Sequence, residues 1–334
     1  MLKQGFLFVS ALVVGFLALL VGSRELPDVP IRERHEQWMS FYDRVYENSD
    51  EKDKRFEIFN KNVEYIKSFN KNGSTTYKKG INKFADWTEK EIREANYGFK
   101  KLQPSTLPPS TPFRYANVDI ADASGNVNWV DAGAVTEIKN QENCGCCWAF
   151  SSVGAMEGII QIKKRQLISL SEQELVDCMP NGGCSGNLME HAFDYIISNN
   201  GLDTESNYPY QAVQGICRAQ PTSAATITGY EFVPGDSEDD LLRAVVNQPI
   251  SVAIDASGSD FVYYQGGVFS GPCGTDLNHA VTLVGYGTAG DGTDYWLIKN
   301  SWGTTWGEEG YMRIQRGVGG LCGITLHALY PTLT

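Results

Sequence analysis

Two adjacent cysteines, Cys146 and Cys147, close the run Gln141-Glu-Asn-Cys-Gly-Cys-Cys, and a long helical pattern begins at Cys147. A thiol at a helix N-terminus feels the positive end of the macrodipole, which favours the thiolate, the nucleophilic form. Such a nucleophile also needs a proton acceptor, and beyond residue 122 the only histidines are His191, His279 and His327. His279 opens a strand-like run in Leu-Asn-His-Ala-Val, and Asn300 follows in Lys-Asn-Ser-Trp-Gly. A cysteine, a histidine and a neutral amide that orients the imidazole can perform acyl transfer. Cys144-Gly-Cys-Cys147 is also a C-x-x-C, so a redox or metal module is a second reading. A redox module wants a βαβ context and a zinc site a second close ligand pair, and neither stands nearby.

The elements that must position these groups fall into two regimes. Before residue 100, Trp38, Phe41, Tyr42 and Val45 share one face of a predicted helix, and Phe56, Phe59, Val63 and Ile66 repeat the spacing on a second. Helices are predicted over 147–164, 171–177, 188–199 and 237–247, with Ser171 to Glu174 as a capping box and Gly201 as a stop. After about residue 250 the period shortens to strands at Ile250–Ile254, Ala280–Val284, Tyr295–Ile298 and Tyr311–Gln315. Helices first and strands later predict an α+β fold with two lobes.

Composition narrows the function. Of 334 residues 42% are hydrophobic and 20% charged, which excludes disorder. A net charge of −12 without a basic stripe excludes a nucleic-acid binder. Residues 24–122 carry 18 basic and 17 acidic side chains, whereas residues 123–334 carry 9 and 23. Near the seam lies Gln103–Pro112, whose four prolines predict a linker or processing region. At the start, Lys3, the apolar run Phe6–Val21 and the small residues Gly22 and Ser23 predict a signal peptide over 1–23, removed rather than kept as an anchor. The secretory pathway suits eight cysteines, with a vacuole- or lysosome-like compartment or the exterior as destination.

These windows together resemble the papain-like cysteine proteases of the plant, bromelain-like type. A second, independent match lies upstream. Glu51, Arg55, Phe59, Asn62, Ile66 and Asn70 reproduce the E-x3-R-x3-F-x2-N-x3-I-x3-N pattern of such proenzymes, and Gly80, Asn82, Phe84 and Asp86 their G-x-N-x-F-x-D motif. The resemblance implies a papain-like fold, with a helical lobe, a β-barrel-like lobe and an N-terminal helical pro-segment. It divides the chain into a pro-segment over 24–122 that inhibits its own enzyme and a peptidase domain over 123–334. Cys147 becomes the nucleophile, His279 its acid–base partner, Asn300 the residue orienting His279, and Gln141 an oxyanion-hole donor. Trp302 shields the Asn300–His279 bond. Protein substrates and cystatin-like inhibitors are the implied partners of a monomer without cofactor or metal. A catalytically silent storage or binding relative is the alternative; it would be expected to lack Cys147, His279 or Asn300.

The resemblance also implies the bridges Cys144–Cys184, Cys178–Cys217 and Cys273–Cys322, leaving Cys146 as a buried thiol where relatives carry Ser or Ala, or as a redox modulator of Cys147. Gly186, Asn187, Leu188, Met189, Ala253, Leu277, Ala280 and His327 would contact substrate. Two positions depart from the pattern. Asn187 replaces a glycine, so its side chain is expected to narrow the cleft or to demand an unusual backbone conformation. His327 falls at the floor of the pocket for the P2 side chain, whose remaining walls favour apolar or aromatic groups. There it would add pH-dependent tolerance of polar P2 groups, or else be a hydrogen-bonded surface histidine. His35 and His191 are read as structural, and Asn72-Gly-Ser as a glycosylation site lost on maturation. Val29-Pro-Ile-Arg32 resembles a plant vacuolar sorting signal except at its first residue.

Overall fold

The computed structural model describes residues 29–73, 76–100, 113–120, 125–220 and 222–333. The signal sequence, the linker and the expected cleavage point at Asp122–Ala123 lie outside the described residues. Two compact units emerge: one holds the described residues up to Gly73 with Lys79–Thr88, the other the short stretch between them and Glu89–Thr334.

The first unit is built on helices α1 (Ile31–Phe41) and α2 (Ser49–Lys71). Trp38, Phe59, Val63 and Ala85 form its core, and Phe56 and Ile66 are buried with them. The polar positions of the spaced motif have a physical purpose: they tie down the loop carrying the second motif. Asn62 donates to Ala85 O at 2.9 Å, Asn70 to Lys79 O at 2.7 Å and Arg55 to Asp86 O at 3.0 Å, while Glu51 holds Arg55 at 2.7 Å. His35 is buried and stacks on Trp38, a packing role. The first helical face is shorter than the periodicity predicts. The helix stops at Phe41, Asp43 turns the chain at φ 50, and Val45 stands 91% exposed.

In the second unit helix α3 (Glu89–Asn96) precedes α4 (Cys147–Lys164), α5 (Glu172–Cys178), α6 (Met189–Ser198), α7 (Glu238–Val245) and α8 (Ser259–Val262). Every residue of α4 from Cys147 to Ile160 is buried, so this helix is the axis of the core rather than an amphipathic cover. Ser171 caps α5 by accepting from Glu174 N at 3.0 Å, but the capping box is only half formed. The Glu174 carboxylate turns instead to Asn199 and to Asp203 N, both at 2.8 Å, tying α5 to the end of α6.

The strands are β1 (Tyr77–Lys79), β2 (Val127–Asn128), β3 (Gly229–Phe232), β4 (Ile250–Ile254), β5 (Tyr264–Phe269), β6 (His279–Thr288), β7 (Asp294–Lys299), β8 (Tyr311–Gln315) and β9 (Ala328–Thr332). They line up as β1-β5-β8-β7-β6-β4-β9-β3, with β2 on β6; β5 runs parallel to β8, whereas β2–β6, β3–β9, β4–β6, β4–β9, β6–β7 and β7–β8 are antiparallel. Strand β6 lies against α4: Ser151 donates to Val281 O at 2.7 Å, which fixes the height of the helix over the strand that begins at His279. Three disulfides join Cys144 to Cys184, Cys178 to Cys217 and Cys273 to Cys322. Among the described residues no helix is long and apolar enough to cross a membrane.

Residues 113–118, on the pro-segment side of the expected cleavage, dock on this second unit. Arg114 grips Glu231 through two bonds of 2.9 and 2.6 Å, and Tyr115 stacks near Tyr330 while donating to Gln248 at 2.9 Å.

Candidate active site

Cys147 is the first residue of α4 and His279 the first of β6, so the packing of that helix on that strand brings the two together. The backbone N–H of Ala280, next to His279, faces the Cys147 sulfur, as does that of Gly98. His279 Nε2 meets Asn300 Oδ1 at 2.8 Å, and the same oxygen accepts from Ser301 N at 2.8 Å. An amide oxygen only accepts, so Nε2 carries the proton and Nδ1 is left bare, ready to take one. The Trp302 ring lies over the imidazole with centroids 4.8 Å apart and is itself wholly buried, which keeps water off the His279–Asn300 bond.

Gln141 is fully buried. Its Oε1 accepts from Ser301 Oγ at 2.6 Å, which turns Nε2 outward as a donor to Asn96 O at 3.1 Å and Cys144 O at 2.9 Å. The Asn96 carbonyl thus occupies an outward-facing donor of Gln141.

The cleft is filled by residues 96–100. Asn187 N donates to Gly98 O at 2.9 Å, Lys100 N donates to Asn187 O at 3.2 Å, and Phe99 N donates to Asn278 O at 3.1 Å. This ladder is parallel. Gly98 has no room for a side chain, since a Cβ there would stand 1.8 Å from Gly145 O. Gly186, at φ +88, is equally constrained: its Cβ would come 2.7 Å from Gly98 O. Phe99 joins the apolar cluster of Met189, Ala253 and Ala280, with Leu188 and Leu277 packed against it. Its ring lies 5.2 Å from that of His327. Phe99 thus directly follows Gly98, the residue whose N–H faces the Cys147 sulfur.

Two expectations need correction. Asn187 does not strain the backbone, which stays out of the left-handed region. Its side chain is buried, and its Oδ1 accepts from Leu188 N at 2.9 Å and His191 Nδ1 at 2.7 Å. His191 accordingly has the structural role read from the sequence, bracing Asn187. His327 is 3% exposed rather than a surface histidine, and its Nε2 pairs with Glu190 at 3.1 Å. Sequence reasoning also missed Glu190, Ser301 and the buried cluster in which Lys139 bridges Glu157 at 3.2 Å and Glu172 at 2.8 Å beneath the site. No local spacing signals these contacts, because their partners lie 18 to 160 residues away.

Charge in the covered site runs opposite to the thiolate expected from the helix terminus. Burial pushes the Cys147 thiol up to about 11, outweighing the backbone donors around it, and the His279 imidazole down to about 4, outweighing the pulls of Asn300 and of the Asn96 carbonyl. Covered by residues 96–99, burial thus disfavours both the thiolate and the imidazolium. A histidine held neutral by burial contributes stability above its ordinary value near 6.5 that is lost as pH falls toward 4, on the order of 3 kcal/mol over that window. Acid should therefore lift residues 96–100. In the zymogen with Cys147→Ala, amide protection at Gly98–Lys100, corrected for intrinsic rates, should drop about tenfold to a hundredfold between pH 6.5 and 4.5. Adding His279→Gln should flatten the dependence; protection constant with pH would remove His279 from the trigger. Asp86 has the opposite sign: burial raises its carboxyl, so its protonation in acid stabilises the first unit.

Comparison with known proteins gives the family. The model of the papain family cysteine proteases matches residues 123–332, and that of the cathepsin propeptide inhibitor domain (I29) residues 35–92. The chain belongs to the papain family of cysteine proteases, as a proenzyme with its I29 propeptide. It is 50% identical over 332 residues to the senescence-specific cysteine protease SAG39 of Oryza sativa subsp. indica, covering 96% of this chain and 97% of that one. It is 47% identical to fruit bromelain of Ananas comosus, covering 98% and 93%. Among solved structures, a recombinant stem bromelain precursor superposes with TM-score 0.84 at 45% identity, over 91% of this chain and 99% of that one.

Proposed function

We propose that the matured chain is an endopeptidase working through Cys147 and His279, with residues 24–122 as the removable inhibitor and 123–334 as the enzyme. With the cleft open, the Cys147 proton passes to His279 Nδ1 and the sulfur attacks the peptide carbonyl carbon. The Gln141 side chain and the Cys147 backbone N–H stabilise the oxyanion that forms. The imidazolium returns its proton to the departing amine as the C–N bond breaks, leaving a thioester. Water, deprotonated by the same Nδ1, then releases the acid and regenerates the thiol. The observation that carries this reading is the His279–Asn300 bond under Trp302, which fixes the tautomer this sequence requires. Against a redox module stands the bridge from Cys144 to Cys184, which leaves Cys147 without its C-x-x-C partner.

Phe99 stands where a P2 side chain would lie, so an aromatic or bulky apolar P2 is preferred. The His327–Glu190 pair at the pocket floor adds tolerance of polar P2 groups that changes with His327 charge. A peptide library varied at P2 tests both points. Phe and Leu should lead at every pH, with polar P2 residues gaining severalfold between neutral and acid pH. A profile that places Gly or Asp first, or one identical at pH 4.5 and 7.5 and unaltered by His327→Ala, would contradict the assignment. The same cleft is the surface that cystatin-like inhibitors would fill. The apolar start of the chain and the three bridges support passage through the secretory pathway to a vacuolar or extracellular site.

A further inference from the structure

We propose that Tyr210, backed by the Cys146 thiol, is a positioning residue for Gln141, an inference that rests on the reading of Gln141 as an oxyanion donor. The backbone of Gln141 needs holding. The next residue, Glu142, has φ 52, a left-handed conformation uncommon for a residue with a Cβ. The peptide unit between the two would lose that conformation if it were free to relax. Its carbonyl is pinned from outside: Tyr210 Oη donates to Gln141 O at 2.8 Å, opposite the bond from Gln141 N to Ser301 O, also 2.8 Å. Residue 141 is thus gripped on both sides by its backbone, and Ser301 Oγ then sets its side chain.

Cys146 completes the arrangement. Its sulfur lies 3.0 Å from Tyr210 Oη and is wholly buried. A phenol has a single proton, and that proton goes to the Gln141 carbonyl, which can only accept. The thiol must therefore donate into the phenol oxygen, giving a one-way chain from Cys146 through Tyr210 to Gln141. Burial strengthens this by holding the thiol well above its usual range. The Tyr210 ring is set edge-on against Phe150 at 5.0 Å, and its backbone N–H is bound by Glu205 at 2.8 Å, so the hydroxyl has a fixed platform. Cys146 is thus neither a second nucleophile nor an inert filler. Serine at this position would keep the donor, whereas alanine would remove it.

The test compares kcat and KM of matured enzymes, each scaled to sites titrated with an irreversible epoxide, so that misfolded protein does not count. Tyr210→Phe should lower kcat about tenfold with KM within twofold, the size expected when a catalytic donor is displaced by a fraction of an ångström. Cys146→Ser should stay within twofold of the parent, and Cys146→Ala should fall about threefold. Gln141→Ala should cost about a hundredfold, and adding Tyr210→Phe to it should change kcat by less than twofold, because the effect passes through Gln141. Full activity of Gln141→Ala would remove the donor itself, and the proposal with it. A damaged Gln141→Ala beside an unaffected Tyr210→Phe, or a tenfold loss that persists in the double variant, would overturn the positioning role alone. Should Tyr210→Phe fail to mature, Cys146→Ala against Cys146→Ser decides: equal kcat per site overturns the chain of donors.

Discussion

The zymogen with Cys147→Ala is expected to lose peptide hydrolysis by on the order of 10⁴- to 10⁶-fold, to stay full length in acid, and to take up no epoxide. The first loss follows from the chemistry: without the sulfur there is no thioester, and His279 and Gln141 are left only to orient a water that the site was not shaped to hold. The second follows if the pro-segment is removed by the enzyme's own activity. Traces of active parent enzyme should then mature the variant at the same low pH, since acid still opens the cleft through His279. The third result separates the two neighbouring thiols. Cys146 is as buried as Cys147 and its sulfur is committed to Tyr210, away from the cleft, so it offers the epoxide no replacement. Maturation of the variant at the parental rate would assign the cut to another protease, and epoxide mass on Cys146 would mean that its bond to Tyr210 opens in solution.

Much of this site is legible in the sequence because its chemistry is tied to particular residue types. A nucleophilic cysteine at a helix start and a histidine opening a strand are local signals, and α4 and β6 begin at those two residues. The spaced positions from Glu51 to Asn70 are legible only as a pattern; their reason, the loop that Asn62, Arg55 and Asn70 hold, needs the third dimension. The contacts that tune the site are the illegible part. Tyr210 lies 69 residues from Gln141, Ser301 lies 160 away, and Glu190 lies 137 from His327. Hydrophobic period locates a helix or strand within a few residues, but carries no information on which two loops meet. Asn187 illustrates the gap. Its departure from glycine reads as an obstruction, whereas the fold buries the amide and gives it His191 as a partner. The charge preference of Cys147 and His279 is the other omission. Helix position favours thiolate, yet burial under four residues of the pro-segment dominates for both groups.

Gly98→Val should convert the zymogen into an enzyme that is active before it is cut. The glycine is the point of nearest approach between the covering segment and the cleft, with its missing Cβ only 1.8 Å from Gly145 O. That neighbour is backbone, and it cannot retreat: Gly145 N is bonded to Cys184 O at 3.1 Å, and the bridge from Cys144 to Cys184 staples the same two loops. The covering segment must yield instead, and a displacement of an ångström or more breaks the bonds from Asn187 N to Gly98 O and from Lys100 N to Asn187 O together. Loss of two backbone bonds plus withdrawal of the Phe99 ring amounts to roughly 3 to 5 kcal/mol. The intramolecular inhibition should weaken by on the order of a hundredfold or more. Uncut Gly98→Val zymogen at neutral pH, with the linker cut blocked by a short assay and verified by mass, should therefore hydrolyse a small fluorogenic peptide where the parent zymogen is silent. Because α3 and the first unit are untouched, the variant should melt within a few degrees of the parent, which excludes general unfolding as the cause. Silence of a folded, uncut Gly98→Val zymogen would mean that occlusion does not depend on the Gly98–Asn187 ladder, and that the covering segment is held by contacts elsewhere.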